Sequence, residues 1–469
     1  MNDIHIPPTI AQVDAINYQE ILDLDSRPVP AFMRERRVPD LGTDPVPAAH
    51  YTSPEVFQAS IDKMWTKTWQ MACREEHIPN VGDFYVYEVV GKSLIVVRSG
   101  PDEIRALHNT CLHRGRRLVS QHGHRRVFIC PYHGMRWNVD GSFAHNPFQW
   151  DFAHCPAGSM KLPEARVGRW GGFVWVNFDP DARPLEEVLG PIPAHFARWE
   201  FESKYVAAHV GKRAKASYLA TFEAFMETHH AITTHPQILP YVTTGNCQYD
   251  VFTEHVGRHV SARGYQSTEL TRKIYTQDEI ANILLAQGLR SNNGGKDRSA
   301  VDKPEGEITL PEGVTARAYV ADLYRRQLTR ETGRDMDHAA DCELGDSLVY
   351  SVYPNFQMWG GFMPNWVYRF RPVDTRHDES VMEIMILRTV PAGTERPAPS
   401  ALRMLADDEP WASAQELGGL GPIIDQDWAN LEEVQRGLRA SPNGLVQLGH
   451  YLELKIRHHH QLLAKYLRT

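Results

Sequence analysis

Two kinds of hydrophobic pattern divide the chain. Between about 67 and 180 the apolar residues come in short runs rich in aromatic and β-branched side chains. Phe84–Val90 and Leu94–Arg98, either side of Gly91–Lys92, are two such runs, and Gly172–Phe178 is another. Runs of this kind punctuated by turn residues predict strands, and the first two a hairpin. Asp179–Asp181 and Pro184 mark a boundary, after which two periods mix. Leu348–Tyr353, Trp366–Arg371 and Val381–Val390 alternate as antiparallel strands do, whereas Tyr218–His230, Ala429–Leu438 and Leu445–Leu467 repeat with helical spacing, as does Pro54–Trp69. The expectation is an α+β chain in four parts. Residues 1–50, rich in Pro, form an irregular arm lying on the surface of this or a neighbouring subunit. A helix over 51–66 belongs to the larger domain, a small all-β domain spans 67–180, and the larger domain covers 181–469. Gln287–Gly313, rich in Gly, Asn, Lys and Pro, reads as a mobile loop or lid.

Composition narrows the class. A 469-residue chain with 42% hydrophobic and 23% charged residues has the make-up of a globular protein with more than one core. No run reaches the length of a membrane span, and MNDIHIPPTI lacks the basic and apolar blocks of a signal peptide. Cys73, Cys155, Cys247 and Cys342 are scattered, which suits a reduced cytoplasmic protein. A net charge of −8 argues against a nucleic-acid partner.

Two clusters carry chemistry. Cys111 and His113 form C-x-H, and Cys130 and His133 form C-x2-H. Two thiolates and two imidazoles in close pairs fit a [2Fe–2S] cluster with Cys on one iron and His on the other; the neutral imidazoles make it easier to reduce. A structural zinc ion is the alternative, although zinc sites usually pair Cys with Cys and His with His. Downstream, Glu227, His230 and His235 form E-x2-H-x4-H. Two His and one carboxylate with open positions mark non-haem Fe(II) sites. On a helix Glu227 and His230 share a face, and His235 falls at its end before Pro236. The plain alternative is a solvated helix face, and the run His458–His460 reads as exposed helix positions.

The stretches NTCLHRG and CPYHG resemble the cluster-binding loops of Rieske proteins. Together with E-x2-H-x4-H they resemble the catalytic (α) subunit of Rieske non-haem iron oxygenases, the ring-hydroxylating dioxygenases and related monooxygenases and demethylases. The likeness runs from about Tyr51 to the C-terminus, with Trp65, Thr68 and Trp69 before Gly82–Asp83–Phe84 at its entry. Glu223, Phe225, Glu227, His230, His235 and Pro236 match the family pattern; Ala224 stands where Asn is usual and Met135 where Trp is common. The resemblance implies a catalytic domain with a curved antiparallel sheet gripped by helices. It implies a [2Fe–2S] cluster and a mononuclear Fe(II), with Asp427, followed by Leu431–Glu432 and Gln435, as third iron ligand and Asp425 as the alternative. It gives Glu227 a catalytic place, joining His230 to the partner subunit's His133 in a homotrimer or an α3β3 assembly. Electrons would come from a ferredoxin, an NAD(P)H-dependent reductase or both, since no flavin- or NAD-binding glycine fingerprint is present. The acid-free stretch Ile104–Val139, with Arg105, Arg114, Arg116, Arg117, Arg125, Arg126 and Arg136, would serve an acidic donor, a neighbouring subunit or simply the solvent. O2 and an aromatic or polycyclic small molecule are the implied substrates, in a pocket drawn from Phe225, Met226, Phe356, Met358, Trp359, Phe362 and Met363 or with those residues as plain core. Demethylation is the alternative reaction, and an electron-transfer Rieske protein the alternative class.

Overall fold

The computed structural model describes residues 16–156, 158–270, 272–292, 306–362 and 365–468. A seven-stranded antiparallel sheet builds the first domain, in the spatial order Gln70–Arg74, Phe173–Asn177, Glu164–Trp170, Ile104–His108, Lys92–Arg98, Asp83–Val89, Gly123–His124. The predicted hairpin closes through Val90 and Gly91, both at positive φ, with Val89 opposite Lys92. That two-residue turn matches the right-handed twist of the strands it joins. A three-stranded sheet, Val127–Ile129, Arg136–Asn138 and Phe143–His145, stands beside the larger one. Phe84, Val86, Ile95, Val97, Leu107, Phe128, Met135, Trp137 and Phe143 pack between them around Cys111 and Cys130.

The second domain is built on an eight-stranded sheet: Gln248–Val251, Val256–Ser261, Ser347–Val352, Phe356–Trp359, Asn365–Pro372, Ser380–Thr389, Lys204–Ala214, Arg403–Met404. All neighbours are antiparallel except the last pair. Long helices cover it, Gln277–Asn292, Ala316–Thr332, Leu420–Ala440 and Leu454–Arg468. The α+β class and the all-β first domain therefore stand as expected. Arg369 ties the two sheets together. It is buried, donates to the carbonyls of Ala72 (2.5 Å) and Met71 (3.2 Å), and pairs with buried Glu383 at 2.6 Å.

Several expectations are corrected. Of the arm, residues 16–50 are mostly exposed or half-buried, but Tyr18, Ile21, Leu22 and Met33 are buried in a core with the larger sheet, and the helix Tyr18–Leu22 lies in this stretch. These apolar side chains anchor a segment that its Pro content alone would leave irregular. Helix Tyr218–Glu223 ends well before His230. Leu445–Leu467 is not one helix, since Leu445–Val446 pairs as a strand with Val46–Pro47 and helix begins at Leu454. His459 and His460 are buried, not exposed, because His459 packs against Tyr353 and Phe222 and His460 against His50 and Tyr51. Of the expected lid Gln287–Gly313, residues 287–292 continue a helix, 306–313 are irregular and 293–305 lie outside the described residues. Met363 lies outside them too.

Candidate metal centres

The two Cys–His loops fold alike although their spacings differ. The N–H of Cys111 donates to the carbonyl of Arg116 (2.9 Å) and that of Gly115 to Cys111 (3.0 Å). In the second loop Cys130 donates to Met135 (2.8 Å) and Gly134 to Cys130 (3.0 Å). Gly115 and Gly134 take φ of +71° and +76°, a conformation Gly adopts without strain. The second loop caps a hairpin. The first does not: it crosses between strands that are not paired with each other, Ile104–His108 and Gly123–His124. Its crossover is held by Asn109, whose side chain accepts from Leu118 and Val119 and donates to the carbonyl of Val119.

These folds bring the four side chains together. The rings of His113 and His133 are 4.6 Å apart at 65°. Nδ1 of each is buried and has no hydrogen-bond partner, which is costly unless a ligand satisfies it. The Cys111 thiol is pushed up by burial and further by the neighbouring Cys130, against the pull of the His113 N–H. A metal resolves this, since it binds the thiolates and fills both ring nitrogens. The donor set thus fits a cluster held by two Cys and two His Nδ1. Met135, the departure from the family pattern, is buried against both thiols' core, so packing survives the exchange.

The second centre lies in the other domain. After the helix ends at Glu223, 3-10-type turns follow and Glu227 bends back: its carboxylate accepts from the His230 N–H (3.1 Å) and from His230 Nδ1 (2.5 Å). The expected shared helix face is thus replaced by a tight turn with the same result. His229 Nδ1 reaches the other Glu227 oxygen at 2.8 Å. A short helix, Ala231–Thr234, then delivers His235 before Pro236. Asp427 comes from helix Leu420–Ala440, with its Oδ1 at 2.8 Å from His235 Nε2 and 3.5 Å from His230 Nε2. The ligand atoms of His230, His235 and Asp427 all lie within 4.8 Å of one another. Asp425 does not join them: its oxygens accept from the N–H groups of Trp411 (2.7 Å) and Ala412 (2.9 Å).

Tautomers follow from partners. Glu227 engages Nδ1 of His230, and Gln426 Oε1 engages Nδ1 of His235 at 2.8 Å, leaving both Nε2 atoms facing Asp427. Gln426 was not foreseen. The glutamine expected near Asp427, Gln435, instead binds the N–H of Ser217 and the carbonyl of Tyr51. Burial works against charge on His230, but Asp427 and Glu227 hold its imidazolium up to about 10. A site that draws positive charge this strongly, with two Nε2 atoms and a carboxylate converging, fits a divalent cation.

Beside it opens a cavity of about 190 Å³, lined by His230, His235 and Asp427 and by Phe225, Tyr241, Trp359, Trp366 and Tyr368 among others. Of the pocket residues expected from sequence, Phe225 and Trp359 line it, while Met226, Phe356 and Met358 are core and Phe362 packs at the core's edge. The arginines near the cluster divide. Arg105 pairs with Glu103 and Glu164, Arg117 with Glu88, and Arg114 stacks on Tyr132. Arg116, Arg125, Arg126 and Arg136 are exposed.

Comparison with known proteins agrees with both centres. Residues 68–156 match the Rieske [2Fe-2S] domain, and residues 218–469 match the ring hydroxylating alpha subunit (catalytic domain). The carnitine monooxygenase oxygenase subunit of Escherichia coli (strain K12) is 29% identical over 194 residues, covering 41% of this chain and 52% of that protein. The large oxygenase component of salicylate 5-hydroxylase from Ralstonia sp is 31% identical over 183 residues, 36% of this chain and 43% of that protein. The chain thus spans about half the length of the curated relatives it matches. A crystal structure of the quaternary ammonium Rieske monooxygenase CntA with L-carnitine shares the fold at a TM-score of 0.62 and 17% identity, over 92% of this chain and 99% of that one. No described helix is long and apolar enough to cross a membrane.

Proposed function

The chain belongs to the ring-hydroxylating α-subunit family of Rieske oxygenases, and from that premise we propose that it is a terminal oxygenase component, using O2 and relayed electrons to oxidise a small organic molecule in the cavity beside His230, His235 and Asp427. The observation that carries this reading is the convergence of those three side chains at the wall of an apolar, aromatic-lined cavity. With a [2Fe–2S] cluster and a mononuclear iron bound, the two centres supply single electrons and an activated oxygen.

The chain's own residues do the rest. Cys111, Cys130, His113 and His133 hold the cluster; His230, His235 and Asp427 hold the iron. Glu227 and Gln426 fix the two imidazoles so that Nε2 faces the metal. The aromatic walls keep bulk water from the reacting carbon. Glu227 also fits the role of a link to the partner subunit's His133 in a trimeric ring, although within one chain His229 already takes its second oxygen. The exposed arginines around the cluster suit docking of an acidic ferredoxin or reductase.

The aromatic walls favour hydroxylation of a ring compound. N-demethylation or hydroxylation of a quaternary ammonium compound is the second reading, favoured by the carnitine relative and compatible with the same walls, since aromatic faces attract such cations. The test is oxygen uptake and product analysis with a surrogate reductase and a panel of ring and N-methyl compounds. Coupled uptake on any of them supports the oxygenase; Glu227→Gln is expected to keep both metals and a reducible cluster while product formation nearly stops. A cluster that reduces but never drives product on any panel member would leave only electron transfer.

A further inference from the structure

Three charged residues on the cavity wall lie outside the site described above, and of these Arg317 and Asp341 are ion-paired whereas Arg263 has no ion pair among the described residues. Arg263 lines the cavity just past the strand Val256–Ser261. Its backbone is pinned: the N–H donates to Asp346 Oδ1 at 3.0 Å and the carbonyl accepts from Arg317 Nη1 at 3.1 Å. Its guanidinium is not. Nε is buried without a hydrogen-bond partner, and the guanidinium lies over the face of Trp359, 6.0 Å from Cζ to ring centroid.

The acids around the cavity are already taken. Asp346 is gripped by both terminal nitrogens of Arg317 and by the Tyr18 hydroxyl. Asp341 serves Arg325 and Ser26. Glu227 and Asp427 serve the histidines. Among the described residues none of these carboxylates pairs with Arg263. The half-buried guanidinium of Arg263 thus stands at the cavity wall without a counter-charge among the described residues, and its planar fork matches a carboxylate bidentately.

Arg263 and Asp427 both act on one side chain of the shared cavity wall, Tyr368. Burial raises the Tyr368 hydroxyl, Asp427 raises it further and Arg263 opposes both. Tyr368 lines the cavity and so stands within reach of both charges. Tyr241, another lining residue, feels Arg263 as well. One cavity wall therefore carries both the converging His230, His235 and Asp427 and the Arg263 guanidinium.

We infer that Arg263 is a specificity-determining residue that binds an anionic group of the substrate, a carboxylate, and so points the rest of the molecule at His230, His235 and Asp427. This rests on the oxygenase reading and deepens it. Few polar groups placed in an apolar pocket fix a ligand's orientation, and a charge-assisted pair contributes about ten- to a hundredfold in affinity.

The test uses the iron-loaded full chain and two matched pairs of probes, benzoate with benzyl alcohol and 2-naphthoate with 2-naphthylmethanol. Binding is measured by equilibrium dialysis under nitrogen. The wild type is expected to bind at least one acid ten- to a hundredfold more tightly than its alcohol. Arg263→Met is expected to erase that preference while iron and sulfide content stay unchanged, and Arg263→Lys to restore part of it. A wild type that shows no preference for either acid or binds no probe, or an Arg263→Met protein that keeps the preference, would overturn the assignment. Iron content and substrate-coupled oxygen uptake judge the oxygenase reading separately, because neither depends on which probe binds better.

Discussion

Gln426→Leu offers a sharp probe of how the iron site is held. In the structure Gln426 Oε1 accepts from two donors, His235 Nδ1 at 2.8 Å and Gln237 Nε2 at 2.6 Å. Leucine keeps the volume and removes the acceptor. The ring N–H of buried His235 then has no partner, at a cost of ~1–3 kcal/mol. The ring has a way out: the proton can move to Nε2 and be donated to Asp427 Oδ1, 2.8 Å away. That tautomer blocks the metal-facing nitrogen. Iron binding must therefore reverse the shift, and ~1.4–2.8 kcal/mol corresponds to about ten- to a hundredfold weaker iron affinity. The assay is competition for Fe(II) against a colorimetric chelator, with visible absorption of the cluster as internal control. Loss of iron affinity with an intact cluster spectrum is expected. Gln426→Glu, which retains an acceptor, is expected to hold iron at least as well as the wild type. Unchanged affinity in the leucine variant would show that His235 is oriented by something else, and the tautomer argument would fail.

Three further outcomes follow from other parts of the structure. Asp427→Ala is expected to lose mononuclear iron and turnover but keep the cluster, whereas Asp425→Ala keeps iron and lowers the melting temperature slightly, since its carboxylate caps the N–H groups of Trp411 and Ala412; the reverse pattern would move the ligand two residues. Glu383→Ala leaves Arg369 and its hold on Ala72 and Met71 without a counter-charge in the buried joint between the sheets, and is expected to cost about 3–5 kcal/mol by denaturant unfolding of apoprotein; a loss under 1 kcal/mol would contradict that. Burial lowers His50, His255 and His458 to about 4, so between pH 4 and 6.5 the unfolded chain binds more protons than the folded one, and apoprotein stability must fall as pH drops through that window; equal urea midpoints at pH 5 and 7 would refute it.

What the sequence made legible depended on whether chemistry or packing set a feature. Cys111, His113, Cys130 and His133 were readable because ligand chemistry constrains residue type and spacing together. His230 and His235 were readable beside them, but the helix drawn through Glu227 was not there. A carboxylate that caps its own loop competes with helix hydrogen bonding, and periodicity does not register that. Asp427 lies 192 positions from His235, so only the family resemblance pointed to it. Gln426 sits directly before Asp427 yet gave no signal of its own, since a polar residue on an amphipathic helix is ordinarily read as solvated. The buried histidines of the last helix were misread for the same reason: neutral imidazole packs as an aromatic, as His459 does against Tyr353 at 4.6 Å.

The central claim, that one chain carries both a two-Cys, two-His cluster and a separate mononuclear iron, is tested most directly by elemental analysis of protein purified without oxygen. Three irons and two acid-labile sulfides per chain are predicted, falling to two irons with two sulfides in Asp427→Ala. Two irons and two sulfides in the wild type would leave His230, His235 and Asp427 without their metal and reduce the protein to an electron carrier. Zinc without sulfide would contradict the account at both centres.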